Sequence, residues 1–302
     1  MAFGLTETWR PHAAALAALV SPFALLPAFH AALRRSLTPT RSIDGGTPAD
    51  SGLPAGEVQL ATRNGRRLFA WYAPAPGSRT AIVLIHGWGG NAAHLLPLAA
   101  PLHAAGHAVL LLDARCHGRS EDDRFASMPR FAEDLDAGID WLRGRADSAT
   151  SEIAVAGHSV GAAAALLAAS RRRDIAAVVS LAAFAHPEEV MRRFIAARRI
   201  PFVPLGWYAL RYVEWVIGYR FAAIAPENTI RGVHCPVLLL HGTEDETVPP
   251  EDSRRLAARA TGSTRLLLLA GDHESIEAMD DAISSIADFL AEALTAKSSP
   301  GA

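Results

Sequence analysis

The pentapeptide Gly157-His158-Ser159-Val160-Gly161 joins an apolar run, Ile153 to Ala156, directly to an alanine-rich helical run, Ala162 to Ser170. A serine on so sharp a strand-to-helix turn carries its hydroxyl above the sheet edge, and glycines two positions either side let neighbouring chain pass close. Such a hydroxyl becomes a nucleophile when a base takes its proton and a carboxylate orients that base. Downstream, Pro236 to Leu240 reads as a strand running into His241-Gly242-Thr243-Glu244-Asp245, and Arg265 to Leu269 as another running into Gly271-Asp272-His273. Both place a polar residue just past the C-terminal end of a strand, the edge where ligands bind in an open α/β sheet. Ser159, Asp245 and His273 are therefore expected to converge there as nucleophile, acid and base. Glu244 and Glu246 flank Asp245 as fallback acids. Upstream, the apolar strand Thr80 to Ile85 ends in His86-Gly87-Trp88-Gly89-Gly90-Asn91, a glycine-rich turn at the same edge.

The elements that must carry these residues follow from the pattern. Strand-like runs recur at Ala81 to Ile85, Val109 to Asp113, Ile153 to Gly157, Ala176 to Leu181, Val237 to His241 and Arg265 to Leu269, separated by helical stretches. Alternation of this kind predicts an α/β fold, a mostly parallel sheet with helices on both faces. Ahead of it, Val58 to Thr62 and Arg66 to Tyr72 flank Asn64-Gly65, a hairpin signal that adds antiparallel strands at the start. Between the strands ending near Leu181 and starting near Val237 lie far more residues than a connecting loop needs, so residues of about 186–233 are expected to form a helical cap over the site. In the cap, Tyr208, Tyr212, Trp215 and Tyr219 recur at helical spacing beside Trp207. That stripe suits the packing of a lid helix, the lining of an apolar substrate tunnel, or a surface that rests on a membrane with Arg192, Arg193, Arg198 and Arg199 toward anionic headgroups.

Taken together, these motifs resemble the α/β-hydrolase superfamily, and within it the serine-aminopeptidase-like and monoglyceride-lipase-like branch, over roughly Glu57 to Leu294. A further motif, Leu110 to Asp113 followed by Ala114-Arg115-Cys116-His117-Gly118-Arg119-Ser120, resembles the family's strand and D-x-R-G-H-G-x-S loop, with Cys116 where a glycine is usual. The resemblance implies a Ser-Asp-His triad in that chain order. It implies an oxyanion hole built from the backbone N–H groups of Val160 and Trp88. His86, Gly87 and His158 would border the substrate, together with Trp207, Tyr208, Tyr212 and Trp215 of the cap. The expected reaction is hydrolysis of a carboxylic ester or thioester with an apolar acyl group, with no metal or organic cofactor. An amidase or aminopeptidase, or a fold retained for binding after loss of catalysis, are the alternatives.

Bulk properties bound the rest. At 302 residues, with 50% hydrophobic and 20% charged residues, one α/β core with an inserted cap is the economical reading. A formal net charge of −2 offers no electrostatic case for nucleic acid, and two cysteines, Cys116 and Cys235, are too few for a disulfide framework. His86 and His241 lack the spacing of a zinc site. Residues 1–37 form an apolar N-terminal segment in which the length of Ala13 to Leu33 is close to the roughly 20 residues that span a bilayer. A span, with Arg34, Arg35 and Arg41 keeping the catalytic domain cytoplasmic, competes with a signal segment, an interfacial helix, a helix packed on the domain and a soluble cytoplasmic protein. Residues 38–56, rich in Pro, Gly, Ser and Thr, read as a flexible linker; 57–296 form the hydrolase-like domain and 297–302 a tail.

Overall fold

The computed structural model describes residues 22–62, 64–145, 150–273 and 280–295. Eight strands form one sheet: β1 (Gly56–Ala61), β2 (Arg67–Ala73), β3 (Thr80–Ile85), β4 (Ala108–Leu112), β5 (Glu152–His158), β6 (Ile175–Leu181), β7 (Val237–Gly242) and β8 (Thr264–Leu269). Their spatial order is β1-β2-β4-β3-β5-β6-β7-β8. The pairs β1/β2 and β2/β4 are antiparallel and the remaining pairs parallel. The hairpin turns at Gly65, whose φ of 75° lies in the region glycine enters without a Cβ penalty.

Central strands such as β4 and β6 are buried along their whole length, which is why they read as unbroken apolar runs. Alternate side chains feed two cores. Ala81, Val83 and Ile85 face helices α3 (Met128–Arg143) and α4 (Val160–Arg171), whereas Ile82 and Leu84 face α2 (Leu96–Ala104) and α8 (Asp280–Thr295). Ala162 to Ala165 in α4 are completely buried, and their small side chains let this helix lie close to the sheet just beyond Ser159. The cap is helical, with α5 (Pro187–Ala197) and α6 (Trp207–Ile217). It is tied to the body by Arg255 on α7 (Glu251–Arg259), which pairs with Glu189 of α5 and with Glu227.

Two N-terminal expectations change. The first half of the apolar run, up to residue 21, lies outside the described residues. The remainder forms α1 (Pro22–Ser36), 15 residues interrupted by Pro27, and no helix among the described residues is long and apolar enough to cross a membrane. Instead α1 docks on the cap. His30 stacks on Tyr212 with ring centroids 3.9 Å apart and its Nε2 lies 2.7 Å from the Tyr208 hydroxyl, while Arg34 Nε donates to the Tyr212 hydroxyl at 2.7 Å.

The segment expected as a flexible linker is strapped down. Arg41 Nη1 donates to the carbonyls of His117, Gly118 and Ser120, and Nη2 pairs with Asp122. The Asn91 amide donates to the carbonyls of Ser42 and Asp44, and Pro48 and Leu53 are buried. Polar composition concealed this, because the anchors are main-chain carbonyls rather than an apolar face.

Candidate active site

Ser159 lies between the end of β5 and the first residue of α4, with φ 51° and ψ −116°, backbone that a residue bearing a Cβ rarely adopts. The flanking glycines make that bend passable. A Cβ on Gly157 would lie 2.4 Å from the Gly161 carbonyl, and one on Gly161 would lie 2.5 Å from His86 O and 2.6 Å from Ile85 O. The turn after β3 crosses directly over the bend, since a Cβ on Gly87 would sit 3.1 Å from His158 Nδ1 and 3.4 Å from Ser159 Cβ. Val160 is the first residue of α4, so its N–H belongs to the unpaired first turn of the helix. Among the described residues no acceptor takes the N–H of Val160 or of Trp88.

The loops after β7 and β8 interlock. Gly242 has no room for a side chain because the carbonyls of Gly271 and Asp272 would stand 2.3 and 2.7 Å from it, and Glu244 N donates to Gly271 O at 2.9 Å. Asp245 and His273, 28 residues apart, are thereby joined: His273 Nδ1 lies 2.6 Å from Asp245 Oδ2. The other carboxylate oxygen accepts the N–H groups of Thr247 at 2.9 Å and Val248 at 2.7 Å. Burial by itself would raise this carboxyl. Hydrogen bonds from the His241 and His273 side chains and from Val248 N–H outweigh it and hold Asp245 well below the ordinary carboxylate range. Neither Glu244 nor Glu246 takes this place.

His273 is tied to the elbow through His158, the residue before Ser159. The His158 Nε2–H donates to the His273 carbonyl at 2.9 Å, and the two rings have centroids 4.8 Å apart. Among the described residues Ser159 Oγ makes no hydrogen bond to His273. Ser159 is half-buried and His273 is 9% exposed.

Several residues expected to border the substrate sit elsewhere. His86 is fully buried; its Nε2 accepts from Ala114 N–H at 3.1 Å and its Nδ1 lies 2.6 Å from the Gly87 carbonyl, so both ring nitrogens serve the scaffold. Burial first, then the nearby His117 ring, push its pKa well below the usual histidine value. His158 is likewise buried and occupied with His273. Tyr212 is buried and Tyr208 exposed, and both hydroxyls bond to α1. Trp207 and Trp215 are exposed, and Gly87 borders the serine. Among the described residues no group of three or more His, Cys, Asp and Glu side chains is arranged to hold a metal.

The loop after β4 is scaffolding. Asp113 accepts from Ala92 N and Arg119 N at 2.6 Å each, Ser120 Oγ donates to the Asp113 carbonyl, and Arg115 is buried against Asp134. Cys116 takes φ 65°, the left-handed backbone a glycine would supply. His241, which reaches Asp245, was weighed in the sequence only as a metal ligand and set aside, and Ser253, which bonds to His241, was not singled out. The local signal was a histidine at the end of an apolar strand.

Comparison with known proteins fits this geometry. The family described as serine aminopeptidase, S33, matches residues 76–217. An uncharacterized protein, Rv2307c, of Mycobacterium tuberculosis is 33% identical over 250 residues, covering 81% of this chain and 82% of that one. The α/β-hydrolase domain-containing protein WAV2 of Arabidopsis thaliana is 28% identical over 229 residues, covering 71% and 69%. Among solved structures, the Pyrococcus furiosus esterase Pf2001 superimposes with a TM-score of 0.71 at 22% identity over 85% of this chain and 97% of its own. Est1E of Butyrivibrio proteoclasticus, bound to ferulic acid, does so with a TM-score of 0.65 at 22% identity over 79% and 100%. The chain belongs to the α/β-hydrolase superfamily, in its serine aminopeptidase S33-like branch.

Proposed function

We propose that the protein is a serine hydrolase that cleaves a carboxylic ester or thioester with an apolar acyl group through an acyl-enzyme. The observation that carries this reading is the 2.6 Å contact between Asp245 Oδ2 and His273 Nδ1 beside a serine on strained backbone. The Asp245 carboxylate accepts the Nδ1–H of His273 and leaves its Nε2 lone pair to take the proton of Ser159. Ser159 Oγ then bonds to the acyl carbon, and the N–H groups of Val160 and Trp88 receive the oxyanion. Proton return from His273 expels the alcohol or thiol, and water repeats the sequence to release the acid. Esterases among the structural neighbours support the ester bond; the family's description as a serine aminopeptidase favours an amide as the second reading.

A lipid-like substrate is supported by the outer surface of the cap. Apart from Ile43 and Trp88, every exposed large apolar side chain among the described residues lies on α1 or the cap, including Val203, Trp207 and Trp215. From Val190 to Val213 there are arginines but no acidic residue, in a chain of net charge −2. Arg192 and Arg211 pair with Glu188 and Arg193 with Asp252, which leaves Arg198 and Arg199 beside the apolar face. A face of this kind suits the surface of an anionic bilayer, from which substrate would be taken. Fluorophosphonate labelling tests for the activated serine, and a chain-length panel of nitrophenyl esters beside a peptide arylamide tests the bond. Labelling lost in Ser159→Ala, with ester turnover rising with chain length, is expected. Faster turnover of the arylamide would favour the amidase, and absence of labelling would remove catalysis by Ser159.

A further inference from the structure

His241 is completely buried at the penultimate position of β7, and the reaction as proposed makes no use of it. Its Nε2 faces two acceptors at once, the Val248 carbonyl at 2.8 Å and Asp245 Oδ2 at 3.2 Å. Two acceptors on one ring nitrogen require that nitrogen to carry the proton. On the other side, Nδ1 lies 2.6 Å from Ser253 Oγ, itself fully buried on α7. The Ser253 hydroxyl can donate there and so hold the ring in its Nε2–H form.

We infer that His241 and Ser253 are positioning residues for the acid of the triad, an inference that rests on the proposed hydrolase reading. The carboxylate of Asp245 then has a donor on every side: Thr247 and Val248 N–H on Oδ1, His273 and His241 on Oδ2. This holds the carboxylate plane toward His273 and draws part of its charge away from that imidazole. Ser253 acts on His241 as Asp245 acts on His273, by fixing a tautomer. Val248 joins the two halves, because its N–H binds Asp245 while its carbonyl binds His241. The titratable groups facing this assembly are Asp245, His273 and His158, the last tilted against the His273 ring with centroids 4.8 Å apart.

Removing the His241 donor leaves more negative charge on the side of Asp245 that faces His273. That charge stabilises the imidazolium, so a larger fraction of the base stays protonated at a given pH. The full-length protein, its His241→Phe, His241→Gln and Ser253→Ala variants, and a double variant combining His241→Phe with Ser253→Ala are compared by pH–rate profiles on one short nitrophenyl ester. His241→Phe is expected to lower kcat about tenfold at unchanged KM, because the carboxylate loses the donor that holds its plane toward His273. Its acid limb should move to higher pH. His241→Gln, which restores an N–H donor, should recover most of the rate, and Ser253→Ala should shift the limb in the same direction by less. The double variant should be no worse than His241→Phe, because Ser253 acts only through the ring.

Fluorophosphonate labelling of each sample separates the two levels of the argument. A wild-type Ser159 that does not label removes the hydrolase reading and the positioning role with it. A wild type that labels, with acid limb and kcat unchanged in both His241→Phe and Ser253→Ala, overturns the positioning role alone. Should His241→Phe fail to fold, an unmoved acid limb in Ser253→Ala overturns it equally.

Discussion

Replacing Asp245 by Asn alters a carboxyl that has no spare acceptor. Oδ1 takes two backbone N–H groups at 2.9 and 2.7 Å, and Oδ2 faces His273 at 2.6 Å and His241 at 3.2 Å. An amide must put its NH₂ at one of these positions. Turned toward Thr247 and Val248 it would meet two backbone donors in a buried turn, so the favoured orientation keeps the oxygen there and aims the NH₂ at His273. His273 must then accept at Nδ1, which moves its own proton to Nε2 and leaves no lone pair for Ser159. Loss of tautomer control of this kind costs about 10⁴ in kcat, or roughly 5.5 kcal/mol of barrier. The same NH₂ confronts the Nε2–H of His241 and deprives that donor of one acceptor, which costs about 1–3 kcal/mol of stability. Initial rates on a nitrophenyl ester, with urea unfolding of the same preparations, measure both effects. KM should hold, since Asp245 lies behind the base. A folded Asp245→Asn enzyme within about tenfold of wild-type kcat refutes the assignment, and a crippled Glu244→Gln or Glu246→Gln in its place would move the acid.

Ser159→Gly should abolish turnover and stabilise the fold by about 1 kcal/mol, because φ 51° is a strained angle for serine and an accessible one for glycine; calorimetry and a rate assay on one sample decide it. Gly161→Ala should cost about 1–3 kcal/mol or more, since its Cβ meets backbone oxygens of Ile85 and His86 at 2.6 and 2.5 Å, and denaturant midpoints read the loss. Burial pushes His117 from 6.5 down to about 4, so between those values the unfolded chain holds a proton that the fold refuses. The corresponding stability is complete above pH 6.5 and is lost as pH falls through the window, by about 3 kcal/mol in total. His117→Phe should flatten the dependence of the urea midpoint on pH over that range, and an unchanged slope would refute the cause.

The serine, its bend and the sheet were legible in the chain because their determinants are local. A strand period of two, an alanine-rich helical run and glycines two residues either side of Ser159 are properties of neighbouring positions, and the observed strands start and stop within a residue or two of the runs that named them. Asp245 and His273 were legible for a related reason: each closely follows a strand whose direction a parallel sheet prescribes. What the chain could not disclose was which polar groups would meet once it folded. Arg41 lies in a stretch with the composition of a linker, and its carbonyl partners are 76 or more positions away. The apolar N-terminal run resembled a membrane span because the tyrosines that receive α1 are 178 positions distant. His86, His158 and Tyr212 resembled substrate contacts because each stands near a strand end or on an aromatic stripe, and packing then buried them. His241 looked inert for the converse reason. Local backbone preference is written in adjacent residues, whereas burial and hydrogen-bond partnership depend on segments that only the closed sheet, the cap and the N-terminal strap bring together.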